Sequence, residues 1–146
     1  MKISQPIRLA IGFGLLFPLQ CFAQSSANLI ESCSALANMA LPDTTIASSE
    51  VVAENSFPPP DSSTQLQHPS FCRLVATSSP TVNFEVWLPM SDWNGKYQGV
   101  GNGGMAGSIS YSAMAGALRR GYATASTDTG HVAGPIPFDA SWASGR

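Results

Sequence analysis

Apolar and polar positions alternate most regularly over residues 82–89. Val82, Phe84, Val86 and Leu88 fall on one side, Asn83 and Glu85 on the other. That period of two predicts a strand whose Val82–Leu88 side faces a core. The run Phe71-Cys72-Arg73-Leu74-Val75-Ala76-Thr77 predicts a second strand. Ser78-Ser79-Pro80-Thr81 joins the two as a turn, with Pro80 supplying a fixed φ. Together they read as an antiparallel hairpin. Upstream, residues 28–39 place Leu29, Ile30, Cys33, Leu36 and Ala37 at helical spacing, and Leu41-Pro42-Asp43 ends that helix. Polar residues 24–28 are expected to be mobile. Residues 45–53, rich in β-branched side chains, predict an edge strand. Residues 56–70 open with Ser56-Phe57-Pro58-Pro59-Pro60-Asp61 and continue in Ser, Thr and Gln. They read as a loop that builds no core, with His68 exposed in it.

After a tight turn at Asp92-Trp93-Asn94-Gly95, residues 97–100 predict a short strand running into glycines. Ser110 is placed to cap a helix over residues 111–120, with Met114 and Leu118 one turn apart. Arg119 and Arg120 fall in its last turn and Gly121 at the C′ position. Residues 122–127, Tyr-Ala-Thr-Ala-Ser-Thr, form a strand of small and β-branched residues. Strand, glycine turn, helix and strand make a βαβ unit with a right-handed crossover. The expected class is therefore α/β: an antiparallel hairpin followed by a βαβ unit, in a sheet left incomplete. No repeat and no second domain boundary is evident.

Residues 1–23 change the picture of where the protein acts. Lys2 and Arg8 precede an apolar run from Leu9 to Leu19, followed by Cys21-Phe22-Ala23. This is the pattern of a secretory signal peptide. The run is shorter than the roughly 20 apolar residues of a membrane span. Pro18 and Gln20 fit poorly with a lipoprotein reading of Cys21. Cleavage after Ala23 leaves residues 24–146, with five basic residues against nine acidic and a net charge of −4. Only Arg119 and Arg120 adjoin, so nucleic acid is not an expected partner, nor is a membrane once the leader is removed. The expected location is secreted or periplasmic. Maturation also leaves Cys33 and Cys72, an even pair in an oxidising compartment. A Cys33–Cys72 disulfide is predicted; the alternative is that each pairs with a cysteine elsewhere.

The candidate chemistry lies in Gly99-Val100-Gly101-Asn102-Gly103-Gly104. It lacks the Lys-Ser/Thr of a phosphate-binding loop. It also lacks an acidic residue about twenty positions on, which dinucleotide binding would need. An oxyanion hole fits better. In α/β serine hydrolases one N–H donor comes from a glycine-rich loop after an early strand. Gly101, Asn102, Gly103 and Gly104 are the candidates. The plain alternative is a turn packed on a helix. No G-x-S-x-G elbow is present: Ser108 and Ser126 both lack the flanking glycines. Asp128 and His131 invite a base-and-orienter reading, but knitting a loop at a strand end is the better one. Two histidines and two mature cysteines far apart give no metal-ligand spacing, and no metal or cofactor is expected for these residues.

Six blocks in order then resemble one family. They are Phe71-Cys72-Arg73, Phe84-Glu85-Val86-Trp87-Leu88-Pro89, Trp93-Asn94-Gly95-Lys96, Gly101-Asn102-Gly103-Gly104, Gly121-Tyr122-Ala123 and Thr127-Asp128-Thr129-Gly130-His131. From about Cys33 to Trp142 the sequence resembles the N-terminal part of the tannase and feruloyl esterase family. The resemblance implies a partial α/β-hydrolase domain over residues 24–146, from a secreted serine hydrolase of aromatic-acid esters such as ferulates and gallates. It implies that one of Gly101–Gly104, with Gly103 favoured, gives an oxyanion N–H, and that Cys33 and Cys72 are the family's N-terminal cysteine pair. The family's nucleophile, in a Gly-Cys-Ser-x-Gly-Gly block, lies further on, as do its acid, histidine and lid, which in some members binds calcium. No catalytic residue is therefore expected in this chain, which reads as an inactive N-terminal fragment. Met105 stands where the family often has a bulky aromatic, and Asp128 and His131 match a block outside the triad. The rival reading is a small secreted binding module using Trp87, Trp93 and Trp142.

Overall fold

The computed structural model describes residues 21–60, 64–101, 103–104, 107–132 and 140–143. The elements run α1 (Cys21–Ala35), a 3-10 turn (Leu36–Asn38), β1 (Thr44–Val52), β2 (Phe71–Ser78), β3 (Val82–Pro89), β4 (Tyr97–Gly99), α2 (Tyr111–Leu118), β5 (Ala123–Thr127) and a final 3-10 turn (Ser141–Ala143). They form one five-stranded sheet in the order β1-β2-β3-β5-β4. β1, β2, β3 and β5 pair antiparallel in sequence; β5 and β4 pair parallel. This is the expected hairpin followed by βαβ, with β5 inserted between the hairpin and β4. Helix α2 ends at Leu118 rather than at the expected residue 120, so Arg119 and Arg120 lie past its last turn, and the closure runs through Gly121. Gly121 takes φ +77, its N–H bonds Leu118 O, and the Tyr122 N–H reaches back to Ala117 O. That double closure needs a left-handed residue, which glycine adopts freely.

Four further expectations are corrected. Helix α1 begins at Cys21, so residues 24–28 are helical, and the helix crosses the expected cleavage point after Ala23. Its expected apolar face does not line a core: among residues 26–35 Leu29 and Ile30 are exposed and only Cys33 is buried. Most of the predicted leader, residues 1–20, lies outside the described residues.

The second correction concerns β3. Its core-facing side is the Glu85 and Trp87 side, not the Val82–Leu88 side, which is only half-buried. Register pairs Arg73 with Trp87 and Val75 with Glu85. Phe71, Arg73, Glu85 and Trp87 therefore share a face, and α2 covers it. The core there is Phe57, Phe71, Trp87, Met114, Ala115 and Leu118. Glu85 is only 4% exposed because its charge is fully engaged. Arg73 donates to both carboxylate oxygens, from Nε at 2.9 Å and from Nη2. Trp87 Nε1–H donates at 2.8 Å and the Tyr111 hydroxyl at 3.2 Å. Its hydrogen bonds to Glu85 hold the Arg73 guanidinium above its usual range.

The third and fourth corrections concern the loop between β1 and β2, which builds core after all. Phe57 packs edge-on to Trp87 at 5.0 Å between ring centroids, and Arg73 lies over the Phe57 ring at 4.9 Å. His68 is 2% exposed. Its Nε2 accepts the Phe57 N–H and its Nδ1 faces Pro69 O at 2.8 Å, which fixes the Nδ1–H tautomer. A proline-rich segment thus reaches the core through one aromatic and one imidazole that satisfies a buried backbone N–H.

On the opposite face the predicted disulfide is present: Cys33 joins α1 to Cys72 of β2 across 39 residues of sequence. Among the described residues no helix is long and apolar enough to cross a membrane.

Two outcomes follow. Replacing both Cys33 and Cys72 by alanine should lower unfolding stability by about 2–5 kcal/mol, read from the urea midpoint; an unchanged midpoint would mean the bridge does not hold α1. Glu85→Ala should cost about 3–5 kcal/mol, because Arg73, Trp87 and Tyr111 lose a shared acceptor. The double change Arg73→Met with Glu85→Leu should recover much of that loss in the same assay, since no buried charge is then left unpaired.

Candidate functional site

Strands β4 and β5 run parallel, so both deliver their following loops to one end of the sheet, where α/β folds bind ligands. The ladder continues one residue past β4: Val100 N–H bonds Ala125 O at 2.9 Å. The chain leaves the sheet at Gly101 and returns at Ser110, the residue before α2. Ser110 N–H bonds the Ser126 hydroxyl at 3.0 Å, and the Ser110 hydroxyl donates to Gly101 O at 3.2 Å. Ser110 thus occupies the predicted cap position but makes no side-chain bond to its helix.

Within the loop, the glycines fall into two groups. Gly107 is required by packing: a Cβ there would lie 2.2 Å from the His131 carbonyl oxygen. Gly101 and Gly103 are exposed, and a Cβ at either would meet nothing within 4 Å. Among the described residues nothing makes a steric demand for glycine at those two positions. Gly104 turns the chain with φ +63. Asn102, like Met105, lies outside the described residues.

The loop after β5 packs against this one and is tied to β3. The Asp128 carboxylate accepts from Asn83 N–H and Gly130 N–H through Oδ1, and from Asn83 Nδ2 through Oδ2. Thr129 is held at φ +57, costly for a β-branched residue. Its hydroxyl donates to Asp128 O and its N–H to Thr127 Oγ1. His131 Nδ1 faces Thr129 Oγ1 at 3.1 Å, and its ring stacks on Trp142 at 4.0 Å. The Asp128 carboxylate therefore serves the loop backbone, and the His131 ring is set by Thr129 and Trp142. The final indole is consequently beside the loops, whereas Trp87 is core and Trp93 stands exposed elsewhere, so the three tryptophans form no common patch.

A cavity of about 360 Å³ opens on the α2 side of the glycine loop. Its walls include Pro59, Leu66, Ile109 and Tyr111, with the Ser108, Ser110 and Ser112 positions along one side. Among the described residues no group of three His, Cys, Asp or Glu side chains is placed to hold a metal. Gly107, Asn83 and the two serine hydroxyls were not singled out from sequence for these roles. Ser126 shares its strand with Thr124 and Thr127, so its hydroxyl carries no distinguishing signal in the sequence.

Comparison with known proteins bears on this arrangement. A model of the tannase and feruloyl esterase family matches residues 65–145. An uncharacterized esterase of Xanthomonas campestris is 42% identical over 126 residues, which is 84% of this chain and 22% of that protein. A probable feruloyl esterase B-1 of Aspergillus oryzae is 44% identical over 66 residues, 42% of this chain and 12% of that protein. Among solved structures, feruloyl esterase B from Aspergillus oryzae superposes with a TM-score of 0.62 at 28% identity, over 72% of this chain and 22% of the other. An esterase from the same organism gives 0.64 at 25%, over 72% of this chain and 23% of the other. The chain therefore spans about a fifth or less of the length of the relatives it matches. The sheet order, with its antiparallel hairpin leading into βαβ, is that of the first strands of an α/β-hydrolase core. With more than half of its residues inside the family match and a 42% identical relative aligned over 84% of its length, the chain belongs to the tannase and feruloyl esterase family.

Proposed function

We propose that this chain forms the oxyanion side of an exported serine carboxylic ester hydrolase acting on phenolic acid esters, feruloyl or galloyl. The observation that carries the reading is the pair of open glycines, Gly101 and Gly103, at the carboxyl end of β4. Among the described residues a Cβ at either would meet nothing, which leaves room for the close approach of a substrate oxygen. In the reaction a serine hydroxyl attacks the ester carbonyl, and the developing oxyanion is met by a loop N–H, with Gly103 favoured. A second N–H follows the nucleophile. Each such donor is worth roughly 10²–10³ in rate. Nucleophile, base and acid come from outside these residues, so the chain alone is inactive, and the acyl transfer itself calls for no cofactor. The cavity beside the loop, at about 360 Å³, is of the size of small-molecule sites and has apolar walls suited to an aromatic ring. Export is supported by the leader pattern of residues 1–23 together with the Cys33–Cys72 bridge.

The test is hydrolysis of methyl ferulate and methyl gallate by the whole protein that contains this chain, beside the 146-residue chain itself. Turnover is expected in the first and none in the second; serine-dependent turnover by the short chain would overturn the reading. Gly103→Ala should lower kcat by roughly 10- to 100-fold, because a methyl displaces the reacting oxygen. The thermal midpoint should hold, since the added Cβ meets nothing in the fold. Unchanged kcat in that variant would remove Gly103 from the site.

A further inference from the structure

We propose that Ser110 and Ser126 are positioning residues that lock the mouth of the glycine loop. The inference rests on the oxyanion reading above for its catalytic meaning, though not for its geometry. A serine at the start of a helix ordinarily turns its hydroxyl onto the helix's free N–H groups. Ser110 does not. Its hydroxyl donates instead to Gly101 O, across the mouth of the loop, at 3.2 Å. Its own N–H is taken by Ser126 Oγ at 3.0 Å. Ser126 is 3% exposed and lies on the α2 face of β5, opposite Glu85. On the entering side, Val100 N–H bonds Ala125 O. Both ends of the loop are therefore fixed to consecutive residues of β5, Ala125 and Ser126, and the Ser110 hydroxyl joins one end to the other.

This arrangement gives the buried Ser126 hydroxyl a partner outside its own sheet, whereas that of Thr124 in the same strand bonds Gln98 O of β4. It also gives Ser110 a use that a helix cap would not. Loop donors stabilise an oxyanion only when their directions are set before the reaction. Locking the mouth sets where the chain leaves β4, and so the frame from which Gly103 and Gly104 project.

The experiment is residue-resolved amide exchange by NMR on the full 146-residue chain, comparing Ser110→Ala, Ser110→Thr, Ser126→Ala and, as a control on the exposed side of α2, Ser112→Ala. Ser110→Ala should raise exchange at the Val100 and residue-110 amides about fivefold, the effect of losing one hydrogen bond. The Leu118 and Leu74 amides should be unmoved, and Ser110→Thr should restore protection. Ser126→Ala should raise exchange at Ser110, and Ser112→Ala should do nothing at either position. A rise confined to the amides of residues 112 and 113 would make Ser110 an ordinary cap and overturn the proposal. So would no change at Val100, or a uniform loss of protection. In the whole protein, Ser110→Ala should lower kcat with KM unchanged, and Thr should rescue it. Absence of ester hydrolysis by the unaltered whole protein would count against the esterase reading alone, since the exchange pattern decides the lock independently.

Discussion

One carboxylate joins three elements of this fold. Glu85 on β3 accepts hydrogen bonds from Arg73 on β2, from Trp87 two residues along its own strand, and from Tyr111 at the first turn of α2. A buried ion pair is not by itself a large source of stability, because desolvation offsets most of its attraction. Its value here lies in specificity. Once Glu85 is inside, every donor around it has to be in place, since an unpaired charge in that setting is far costlier than a missing contact. The hairpin register, the rotamer of Trp87 and the seat of α2 are thereby fixed together. Phe57 then closes the cluster, with Arg73 lying across its ring.

The same carboxylate explains where sequence reading succeeds and where it inverts. Strand positions were legible from alternation and from turn residues, and Gly121 marked the end of α2. The Cys33–Cys72 pair was legible from counting alone. The inward side of β3 was not. Periodicity identifies two faces but not which is buried, and polarity assigns them only if buried charges are rare. Here the face carrying Glu85 is the interior, because Arg73 on the neighbouring strand neutralises it. The partner lies twelve positions away in sequence and opposite only in space. His68 fails for a related reason. A histidine beside Pro69 in a polar loop carries no local sign that its imidazole will satisfy the buried Phe57 N–H.

At the candidate site the division is different. The glycine run was visible because motif chemistry is local, and the structure separates glycines the fold requires from glycines it does not. Gly107 belongs to the first group, set by the His131 carbonyl. Its necessity comes from the neighbouring loop, so no pattern within residues 99–110 would reveal it. Asp128 reads in sequence as a residue that knits its loop, in preference to an orienter of His131. In space it is an anchor, holding Asn83 and Gly130 and sustaining the left-handed Thr129.

An oxyanion loop must meet two opposed requirements. Its N–H groups must be bare enough for a substrate oxygen to approach, and rigid enough that their directions do not have to be organised during the reaction. Glycine meets the first and works against the second, because it loses the most conformational freedom on ordering. On the proposed reading of residues 101–104, the two tasks are separated along the chain. Rigidity is placed at the ends, where Val100 and Ser110 are bonded to adjacent residues of a central strand and Gly107 is wedged against the next loop. Openness is placed at Gly101 and Gly103. Because β5 sits between β3 and β4, the strand that holds the loop is itself held on both sides, and through β3 it is linked to the Glu85 cluster. Gly101 and Gly103, whose missing side chains would meet nothing among the described residues, thus follow a stretch of chain whose ends are anchored to the core.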